Sequence, residues 1–454
     1  MNILYLHSHD TGRVLQPYGY DVQTPALQSL ADEGTLFLDA HCAAPTCSPS
    51  RAALLTGQTA HEAGMVALSH RGGVLKYPER HLANFLKQKG FQTLKAGISH
   101  VGNDDEVQGY LDVAERKGGS GEEIVECACG YLENLESEKP FFLDVGFTET
   151  HRRGLGFSPE ENTPGDGDGD SDHVHPPKFL GGHLHVRRDW KDLYNSVERL
   201  DNYYGQILSK LAEKGFAEDT LVIATTDHGV AFPDMKCSLT SRGTGVLLIL
   251  RAPRGLGKGK KIKTMVSHKD LFPTICELLN AEKPTWLEGK SLVPLLSDPE
   301  EKDLHDVIFS EVTFHAAFEP KRSVRSKQWN YIRNFATPHA AILPNCDDGL
   351  TKQLWLRENH FASDVPTEEL YDLTADPKET LNLAENPEHK EIKFGLKAKL
   401  YEWMKRTNDP LLLPDPLVLP SSLTVNPWDQ LHPGNELACE WDRSEWQKVH
   451  RSAT

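Results

Sequence analysis

The sequence has little positive charge for its size and lacks long apolar runs. Its 454 residues carry 49 lysines and arginines against 66 aspartates and glutamates, a formal net charge of −17. Nucleic acids and anionic membranes both favour positively charged protein surfaces. No run of about eighteen apolar residues is present that could cross a bilayer. We therefore predict that neither nucleic acid nor membrane is a partner of this protein.

Cysteine is also scarce, and the chain opens without a secretory signal. The first residues, MNILYL, pass directly into polar residues, with no charged start and no small-residue cleavage site. The eight cysteines are scattered along a long chain, which is typical of free thiols in a reducing compartment. We expect a cytoplasmic protein, and a homo-oligomer is compatible with these features.

Strand-like apolar runs alternate with helical patterns along the first two thirds of the chain. Five runs predict strands, at residues 3–6, 91–96, 141–145, 221–224 and 246–250. Three patterns predict helices, at residues 24–34, 82–90 and 194–211. This alternation favours an α/β fold in which helices cover both faces of a large, mostly parallel sheet.

The pattern changes to short polar and apolar segments from residue 311 onward, with one late helix near residues 392–403. We predict a catalytic domain over residues 1–310. A smaller C-terminal α+β domain, over residues 311–454, is predicted to complete the substrate pocket.

The acidic run GDGDGD at residues 165–170 resembles the opening of a calcium-binding EF-hand loop. Ser171 stands in place of the turn glycine, and Pro177 occupies the position of the closing glutamate. We therefore predict a flexible, solvated acidic loop here rather than a calcium site.

Side chains with metal-binding or acid–base chemistry follow several of the predicted strands. Asp10 follows the first strand, and His100, His151 and the pair Asp227-His228 follow later ones. Open α/β sheets bind ligands beyond the carboxyl ends of their strands. Asp10, Asp227 and His228 would supply oxygen ligands and one imidazole, a set suited to Ca²⁺, Mg²⁺ or Mn²⁺. His9 is a further candidate ligand.

Cys47 precedes a predicted helix, because Pro49 and the apolar residues after Arg51 favour a helix that starts directly after the cysteine. The start of a helix favours a bound anion. A cysteine in this position is either a nucleophilic thiolate of low pKa or a buried structural residue, and the residues alone leave both possibilities open.

The run CSPSRAALLTG at residues 47–57 resembles the signature of the type I, formylglycine-dependent sulfatases of the alkaline phosphatase superfamily. The resemblance implies that a maturation enzyme oxidises Cys47 to formylglycine, whose hydrated aldehyde carries two hydroxyls on one carbon. In the family, one hydroxyl attacks sulfur and displaces an alcohol or amine, and deprotonation of the other then releases sulfate. It also implies an alkaline-phosphatase-like fold.

The same resemblance implies roles for individual residues. Asp10, Asp227 and His228 correspond to metal ligands, and the modified Cys47 completes the set. The implied cofactor is a divalent cation, with Ca²⁺ as the first choice.

Four further residues correspond to catalytic positions. Arg51 would hold the hydroxyls of the modified side chain, and His100 would assist in the release of sulfate. His151 resembles the histidine that contacts sulfate and protonates the leaving group, and Lys236 matches a lysine on a sulfate oxygen.

Within the family, several short segments resemble the heparan N-sulfatases, or sulfamidases. They include FLDVGF at residues 142–147, EVT at 311–313 and RSV at 322–324. Arg152 and Arg322 in or beside these segments are predicted contacts for an acidic sugar, since guanidinium pairs well with carboxylate and sulfate. The implied substrate is a sulfated saccharide, either an O-sulfate ester or an N-sulfoglucosamine.

The sequence departs from the family pattern at three places. His9-Asp10 replaces two adjacent aspartates, and His228 replaces an asparagine, which moves the expected metal preference from Ca²⁺ toward Mn²⁺ or a similar ion. Ile98 replaces a lysine that contacts sulfate, so that Lys95 or an arginine would have to supply this charge.

Three functions follow from these features. The first is a sulfatase that acts on a sulfated sugar. The second is a phosphonate monoester or phosphodiester hydrolase of the same superfamily, suggested by His228. The third is a non-catalytic protein that binds sulfated glycans, suggested by Ile98.

Overall fold

The computed structural model describes residues 1–102, 104–113, 119–135, 139–157, 171–298, 303–335, 340–413, 423–434 and 439–441. The acidic run at residues 165–170 lies outside these described residues, so the solvated loop expected there stays a prediction.

Most strands of the described chain belong to one large sheet and one smaller sheet. The strands are β1 Asn2–Ser8, β2 Thr35–Phe37, β3 Ala40–His41, β4 Gln92–Gly97, β5 Asp112–Val113, β6 Phe141–Gly146, β7 Thr220–Thr226, β8 Leu248–Arg251, β9 Lys260–Ile262, β10 Val266–Ser267, β11 Ile308–Phe314, β12 Phe318–Arg325, β13 Trp329–Asn334, β14 Glu368–Asp372, β15 Thr424–Val425 and β16 Cys439–Glu440.

The helices of the described chain are α1 Pro25–Glu33, α2 Cys47–Thr56, α3 Ala60–Ala63, α4 Leu82–Gln88, α5 Asp105–Gln108, α6 Gly121–Glu133, α7 Leu184–Glu213, α8 Ser241–Thr244, α9 Leu271–Leu278, α10 Val293–Ser297, α11 Leu350–Arg357 and α12 Lys390–Arg406. None of these helices combines the length and apolar character that crossing a bilayer requires.

The large sheet has eight strands in the order β5-β4-β6-β1-β7-β8-β2-β9. Neighbours from β5 to β7 run parallel, β8 runs antiparallel to both β7 and β2, and β9 is again parallel to β2. The predicted α/β class is therefore confirmed, as are the predicted strands and helices that form its centre. The short strands β2 and β9 are additions that the apolar pattern does not predict.

Helices cover both faces of this sheet because its strands are apolar on both sides. Alternate residues of β1 point to opposite faces. Leu4 and Leu6 pack with α1, α6 and α7, whereas Ile3 and Tyr5 pack with α2, α4 and α9. A strand buried on both faces reads as a continuous apolar run, which is why β1 is visible in the sequence.

The second sheet is antiparallel, in the order β11-β12-β13-β14, and α12 packs against it. It begins at Ile308, close to the predicted boundary at residue 311; the division into two domains itself stays a prediction. Glu311 N donates to Ala43 O at 2.9 Å, and Phe314 N donates to Val66 O at 3.2 Å. Strand β11 is thereby joined to the segments on either side of α2, the helix that begins at Cys47.

Two glycines allow the ends of β4 and β6 to approach closely. A Cβ on Gly146 would lie 1.9 Å from Ile98 O, and a Cβ on Gly97 would lie 2.1 Å from Gly146 O. Gly97 also has a φ of +82°, a value that side chains disfavour. These glycines bring the loops that carry His100 and His151 to the same edge of the sheet.

Candidate active site

Four candidate ligands from two neighbouring strands meet at the carboxyl edge of the large sheet. His9 and Asp10 follow β1, and Asp227 and His228 follow β7, which pairs with β1 along its whole length. Asp10 N donates to Asp227 Oδ1 at 2.8 Å. His9 Nδ1 lies 3.2 Å from Asp227 Oδ2, and His228 Nε2 lies 3.3 Å from Asp10 Oδ1. Parallel pairing thus places the two sequence pairs side by side.

Cys47 joins this cluster from the start of α2. Its Sγ lies 3.4 Å from His228 Nε2. One potential ligand atom from each of His9, Asp10, Cys47 and Asp227 lies within 4.8 Å of the others, and all four residues are buried. The structure therefore brings together all five residues that the sequence suggests as metal ligands.

The donor atoms of the cluster fit a divalent cation. His228 Nδ1 lies 3.0 Å from Gly229 O. A carbonyl oxygen only accepts, so Nδ1 carries the proton and Nε2 turns a lone pair toward Asp10 and Cys47. The buried atoms Asp10 Oδ1 and His9 Nδ1 face His228 Nε2 and Asp227 Oδ2 at 3.3 and 3.2 Å, but neither contact has good hydrogen-bond geometry. Buried polar atoms are usually well hydrogen-bonded, and a cation bound here would satisfy both.

The electrostatic environment of His9 also favours its role as a metal ligand. Burial lowers the pKa of His9 well below its usual value, and the charge on Arg51 lowers it further, against the opposing effect of Asp227. His9 is therefore neutral at physiological pH, which is the form that binds a metal.

Helix α2 begins at Cys47, in agreement with the prediction that a helix starts at the CSPSR run. Its N-cap residue, Thr46, makes no side-chain capping bond. Pro49 has no N–H and Ser50 N donates to Thr46 O, so the first-turn N–H groups open to an anion are those of Cys47 and Ser48. Ser50 Oγ donates to Asp227 O at 2.6 Å, and this hydrogen bond holds the start of α2 next to the cluster of candidate metal ligands.

Burial raises the pKa of the Cys47 thiol well above its usual value, and the charge on Lys236 offsets only part of this rise. The thiolate is the nucleophilic form of cysteine, so an unmodified thiol in this place would be a poor nucleophile. Without a bound cation, burial therefore favours the protonated thiol over the low-pKa thiolate.

Arg51 lies beside the cluster at the end of a buried chain of polar contacts. Its Nη2 donates to Asp227 Oδ2 at 3.0 Å, and its Nη1 donates to His7 Nδ1. His7 Nε2 consequently carries the proton and donates to Asp144 Oδ1 at 2.8 Å. Tyr110 hydrogen-bonds to the other oxygen of Asp144. This chain fixes the guanidinium, and its buried Nε makes no hydrogen bond of its own.

Lys236 lies between two carboxylates. Its Nζ is 2.9 Å from Asp10 Oδ2 and 3.2 Å from Asp347 Oδ2. Burial alone would lower the pKa of Lys236, but these two carboxylates raise it well above its usual value. Cys237 N donates to Pro45 O at 3.0 Å, which ties the Lys236 loop to the segment before Cys47. A permanent positive charge thus stands at the rim of the cluster.

Three histidines extend from the cluster toward solvent. The rings of His100 and His151 lie 5.6 and 5.4 Å from the ring of His9. Burial lowers the pKa of His100 to about 3. His70, which is exposed, stacks on His100, and its Nδ1 lies 3.2 Å from His100 Nε2.

His151 has a defined tautomer. Its Nδ1 lies 2.7 Å from Arg152 O, and because a carbonyl only accepts, Nδ1 carries a proton. Nε2 is therefore the atom that can exchange a proton with a substrate.

The structure corrects the prediction that Arg152 contacts the substrate. Arg152 is 6% exposed, and its two Nη atoms donate to Asp189 at 2.8 and 3.0 Å. Its guanidinium also lies over the rings of Phe157 and Phe232. A guanidinium that is both paired and buried in this way is not available to a sugar.

The predicted substrate contact of Arg322 is also wrong, for the same reason. It is fully buried, and its Nε and Nη2 donate to Asp409 at 2.6 and 2.9 Å. Lys95, considered as a substitute for the cation absent at Ile98, is likewise buried, where it pairs with Asp105 and donates to Ser99. Arg322 and Lys95 hold the fold together and do not line the site.

No sequence pattern pointed to three residues that the structure places near the site: His70, His315 and Asp347. His315, at the end of β11, is 5% exposed, and burial together with the charge on Lys236 lowers its pKa well below its usual value. These residues follow no apolar run of the large sheet and belong to no short motif. His70 is positioned by stacking on His100, whereas His315 and Asp347 belong to the C-terminal segment, whose strand β11 is hydrogen-bonded to Ala43 and Val66.

Comparison with known proteins identifies the family. Residues 2–281 match the sulfatase family model, and residues 236–346 match the model described as N-sulphoglucosamine sulphohydrolase, C-terminal. The chain belongs to the sulfatase family. This confirms the family and the enzyme class, a hydrolase, that the Cys47 run predicts.

Individual relatives cover nearly the whole sulfatase chain. Human N-sulphoglucosamine sulphohydrolase is 29% identical over 461 residues, which cover 90% of this chain and 91% of the relative. The structure of BT4656 in complex with its substrate D-glucosamine-2-N,6-O-disulfate has a TM-score of 0.70 at 19% identity and covers 91% of this chain and 99% of that one. The phosphonate monoester hydrolase of Agrobacterium radiobacter has a TM-score of 0.66 at 20% identity, with 90% and 96% covered. The two structural likenesses show a shared fold.

Proposed function

We propose that this sulfatase removes sulfate from a sulfated sugar and that its nucleophile is a formylglycine made from Cys47. The supporting observation is the position of Cys47, which stands at the uncapped start of α2 with its Sγ 3.4 Å from His228 Nε2. A helix start that accepts an anion and a cluster of metal-type donors thus flank the same side chain. Transfer of an anionic sulfo group requires both.

Two groups would complete the site. A divalent cation held by His9, Asp10, Asp227, His228 and the modified Cys47 would act as a Lewis acid toward the sulfate oxygens. Ca²⁺ is the ion that the family resemblance implies, and the two imidazoles make Mn²⁺ or a similar ion the alternative. Formylglycine would supply a nucleophilic hydroxyl and a built-in route for sulfate release, and its formation requires a maturation enzyme as a partner.

The remaining residues have roles that follow from their geometry. Hydrolysis breaks the bond between sulfur and the sugar's oxygen or nitrogen, and the departing atom must gain a proton. His151 is placed to donate it from Nε2 in the imidazolium form, since its Nδ1–H is already hydrogen-bonded to Arg152 O. Lys236 and the first-turn N–H groups of α2 stabilise the charge on the transferred group. His100, neutral at pH 7, can accept a hydrogen bond during sulfate release.

The proposed substrate class also takes support from the relatives. The human relative is named for an N-sulfated glucosamine, and BT4656 was solved with a disulfated glucosamine. We therefore propose a sulfated amino sugar or a related saccharide, with either an O-sulfate or an N-sulfate as the scissile group. The cytoplasmic location stays a prediction.

Mass spectrometry and a substrate screen test the proposal together. We expect the peptide that contains residue 47 to carry formylglycine, and we expect the same preparation to release sulfate from defined sulfated mono- and disaccharides. Cys47→Ala should abolish release, whereas Cys42→Ala, a change to another buried cysteine outside the cluster, should retain it. Full activity with an unmodified Cys47 would refute the proposed nucleophile. Glycan binding without hydrolysis in the parent protein would instead support the binding-protein alternative.

A phosphonate monoester or phosphodiester hydrolase is the second candidate, favoured by the imidazoles of His9 and His228 in the ligand cluster. Aryl sulfate and aryl phosphodiester hydrolysis should be compared on one preparation with confirmed modification. We expect faster turnover of the sulfate ester, and faster turnover of the phosphodiester would reverse the ranking.

A further inference from the structure

A carboxylate stands beside the proposed anion site. Asp347 has 11% of its side chain exposed, and its Oδ2 forms an ion pair with Lys236 Nζ at 3.2 Å. Asp10 occupies the metal side of the same lysine, 2.9 Å from Nζ. A carboxylate close to a bound sulfate is unfavourable through like-charge repulsion unless the substrate offers it a hydrogen-bond donor.

The loop that carries Asp347 is fixed independently of Lys236. Lys352 is 1% exposed, and its Nζ donates to Leu343 O at 3.0 Å and to Cys346 O at 2.7 Å. It also donates to Asp348 Oδ1 at 2.9 Å and to Leu431 O at 2.6 Å. One buried ammonium thus joins four acceptors from two segments. A carboxylate presented from such a support is preorganised for a ligand.

Asn345 fixes the same loop to the C-terminal sheet. Its Oδ1 accepts a hydrogen bond from Ala317 N at 2.7 Å, and its Nδ2 donates to Glu319 Oε2 at 2.7 Å. The position of Asp347 is therefore determined by the fold around it and does not depend on the ion pair with Lys236.

The charges that act on Asp347 include that of His151, the proposed proton donor. Burial alone would raise the pKa of Asp347, but the charges of Lys236, His315 and His151 hold it below its usual range. His151 is the residue placed to protonate the departing oxygen or nitrogen. A sugar whose leaving atom is protonated by His151 would bring its hydroxyl and amino groups, which are hydrogen-bond donors, toward this carboxylate.

We propose that Asp347 is a specificity residue whose carboxylate accepts a hydrogen bond from a hydroxyl or amino group of the sugar next to the scissile sulfate. This inference rests on the proposed function and narrows it. The enzyme would select sulfated sugars that carry a free donor beside the sulfated position. Sulfate esters and sulfamates of alcohols or amines without such a donor would be poor ligands.

Binding to metal-loaded protein with Cys47→Ala tests this proposal without turnover. N-sulfoglucosamine is compared with cyclohexyl sulfamate, which has the same sulfamate group on a ring without hydroxyls. Glucosamine 6-sulfate is compared with cyclohexylmethyl sulfate in the same way. We expect Asp347→Asn, measured by titration calorimetry, to weaken the sugar ligand by roughly 10- to 100-fold more than its donor-free counterpart, the range for a hydrogen bond to a charged group.

Asp348→Asn is the matched control. Asp348 is the adjacent carboxylate, but it bonds to Lys352 and His432 and not to Lys236. This variant should leave the ratio of the two affinities unchanged. If Asp347→Asn weakens both ligands equally, Asp347 has only a structural role and the specificity proposal is overturned. If the parent protein binds neither sulfated ligand, the proposed function itself fails.

Discussion

The ion pair between Arg322 and Asp409 offers a direct test of the structural role that replaces the predicted substrate contact. Both side chains are fully buried, with two donor–acceptor distances of 2.6 and 2.9 Å between them. Removing one partner of a buried pair leaves an uncompensated charge, which costs about 3 to 5 kcal/mol. Glu311 Oε2 lies 3.6 Å from Arg322 Nη2 and compensates in part. For Asp409→Asn we therefore expect a loss of about 3 kcal/mol in the free energy of unfolding.

The loss should depend on pH in a defined direction. Burial alone would raise the pKa of Asp409, but the charge of Arg322 holds it below its usual value. A carboxyl whose folded pKa is depressed contributes stability that is fully present above the unfolded pKa, about 3.9, and is lost as the pH falls through the folded pKa. The difference between the parent and Asp409→Asn should thus be largest near neutral pH and should shrink in acid.

Thermal unfolding followed by calorimetry or dye binding measures this difference. At pH 7 we expect Asp409→Asn to lower Tm by about 3 °C. Asp303→Asn removes the exposed pair with Lys327 and should leave Tm nearly unchanged, because exposed pairs contribute little. An unchanged Tm in Asp409→Asn, together with a raised KM for acidic sugars, would refute the structural role of Arg322.

The remaining predictions concern the metal and the proton donor. Because His228 turns Nε2 toward Asp10, His228→Ala should weaken Mn²⁺ binding at least roughly 10-fold in titration calorimetry, and an unchanged affinity would remove His228 from the ligand set. Removal of the metal with a chelator should lower Tm, and adding the ion back should restore it, since a ligand that binds only the folded state stabilises it; a Tm insensitive to both would contradict a bound ion. His151→Gln should lower kcat on a sugar sulfate by roughly 10²- to 10⁴-fold, but much less on 4-nitrophenyl sulfate, whose leaving group needs no proton. Equal losses on both substrates would argue against His151 as the donor.

The sequence predicted the centre of the fold well because its signals there are local. Strands β1, β6 and β7 are buried on both faces, so each appears as a short continuous apolar run. Their carboxyl ends necessarily share one edge of a parallel sheet, and this alone brings Asp10 next to Asp227. The candidate ligands were therefore predictable from position along the chain.

The two predicted substrate contacts, Arg152 and Arg322, are wrong because the presence of a charged residue in the sequence does not show which residue it pairs with. Arg152 and Arg322 were chosen for the chemistry of guanidinium, and each is satisfied by an aspartate that lies far away in the sequence. The partners Asp189 and Asp409 belong to a helix and to a loop after a helix, and no spacing links them to the arginines. Only the packed structure distinguishes an arginine in a buried ion pair from an arginine whose guanidinium is free to bind a ligand.

The proposed sugar-binding side of the site comes from a different part of the chain than the proposed nucleophile does. Cys47 and the ligand cluster belong to the large sheet and α2, whereas His315 and Asp347 reach Lys236 from β11 and a loop of the C-terminal segment. Strand β11 is hydrogen-bonded to the segments that flank α2, so the two halves of the site are held in one geometry. The chemistry at Cys47 can therefore stay constant while changes in the segment around Asp347 alter which sugar is accepted. This division explains why a short run at residues 47–57 suffices to identify the family but leaves the substrate open.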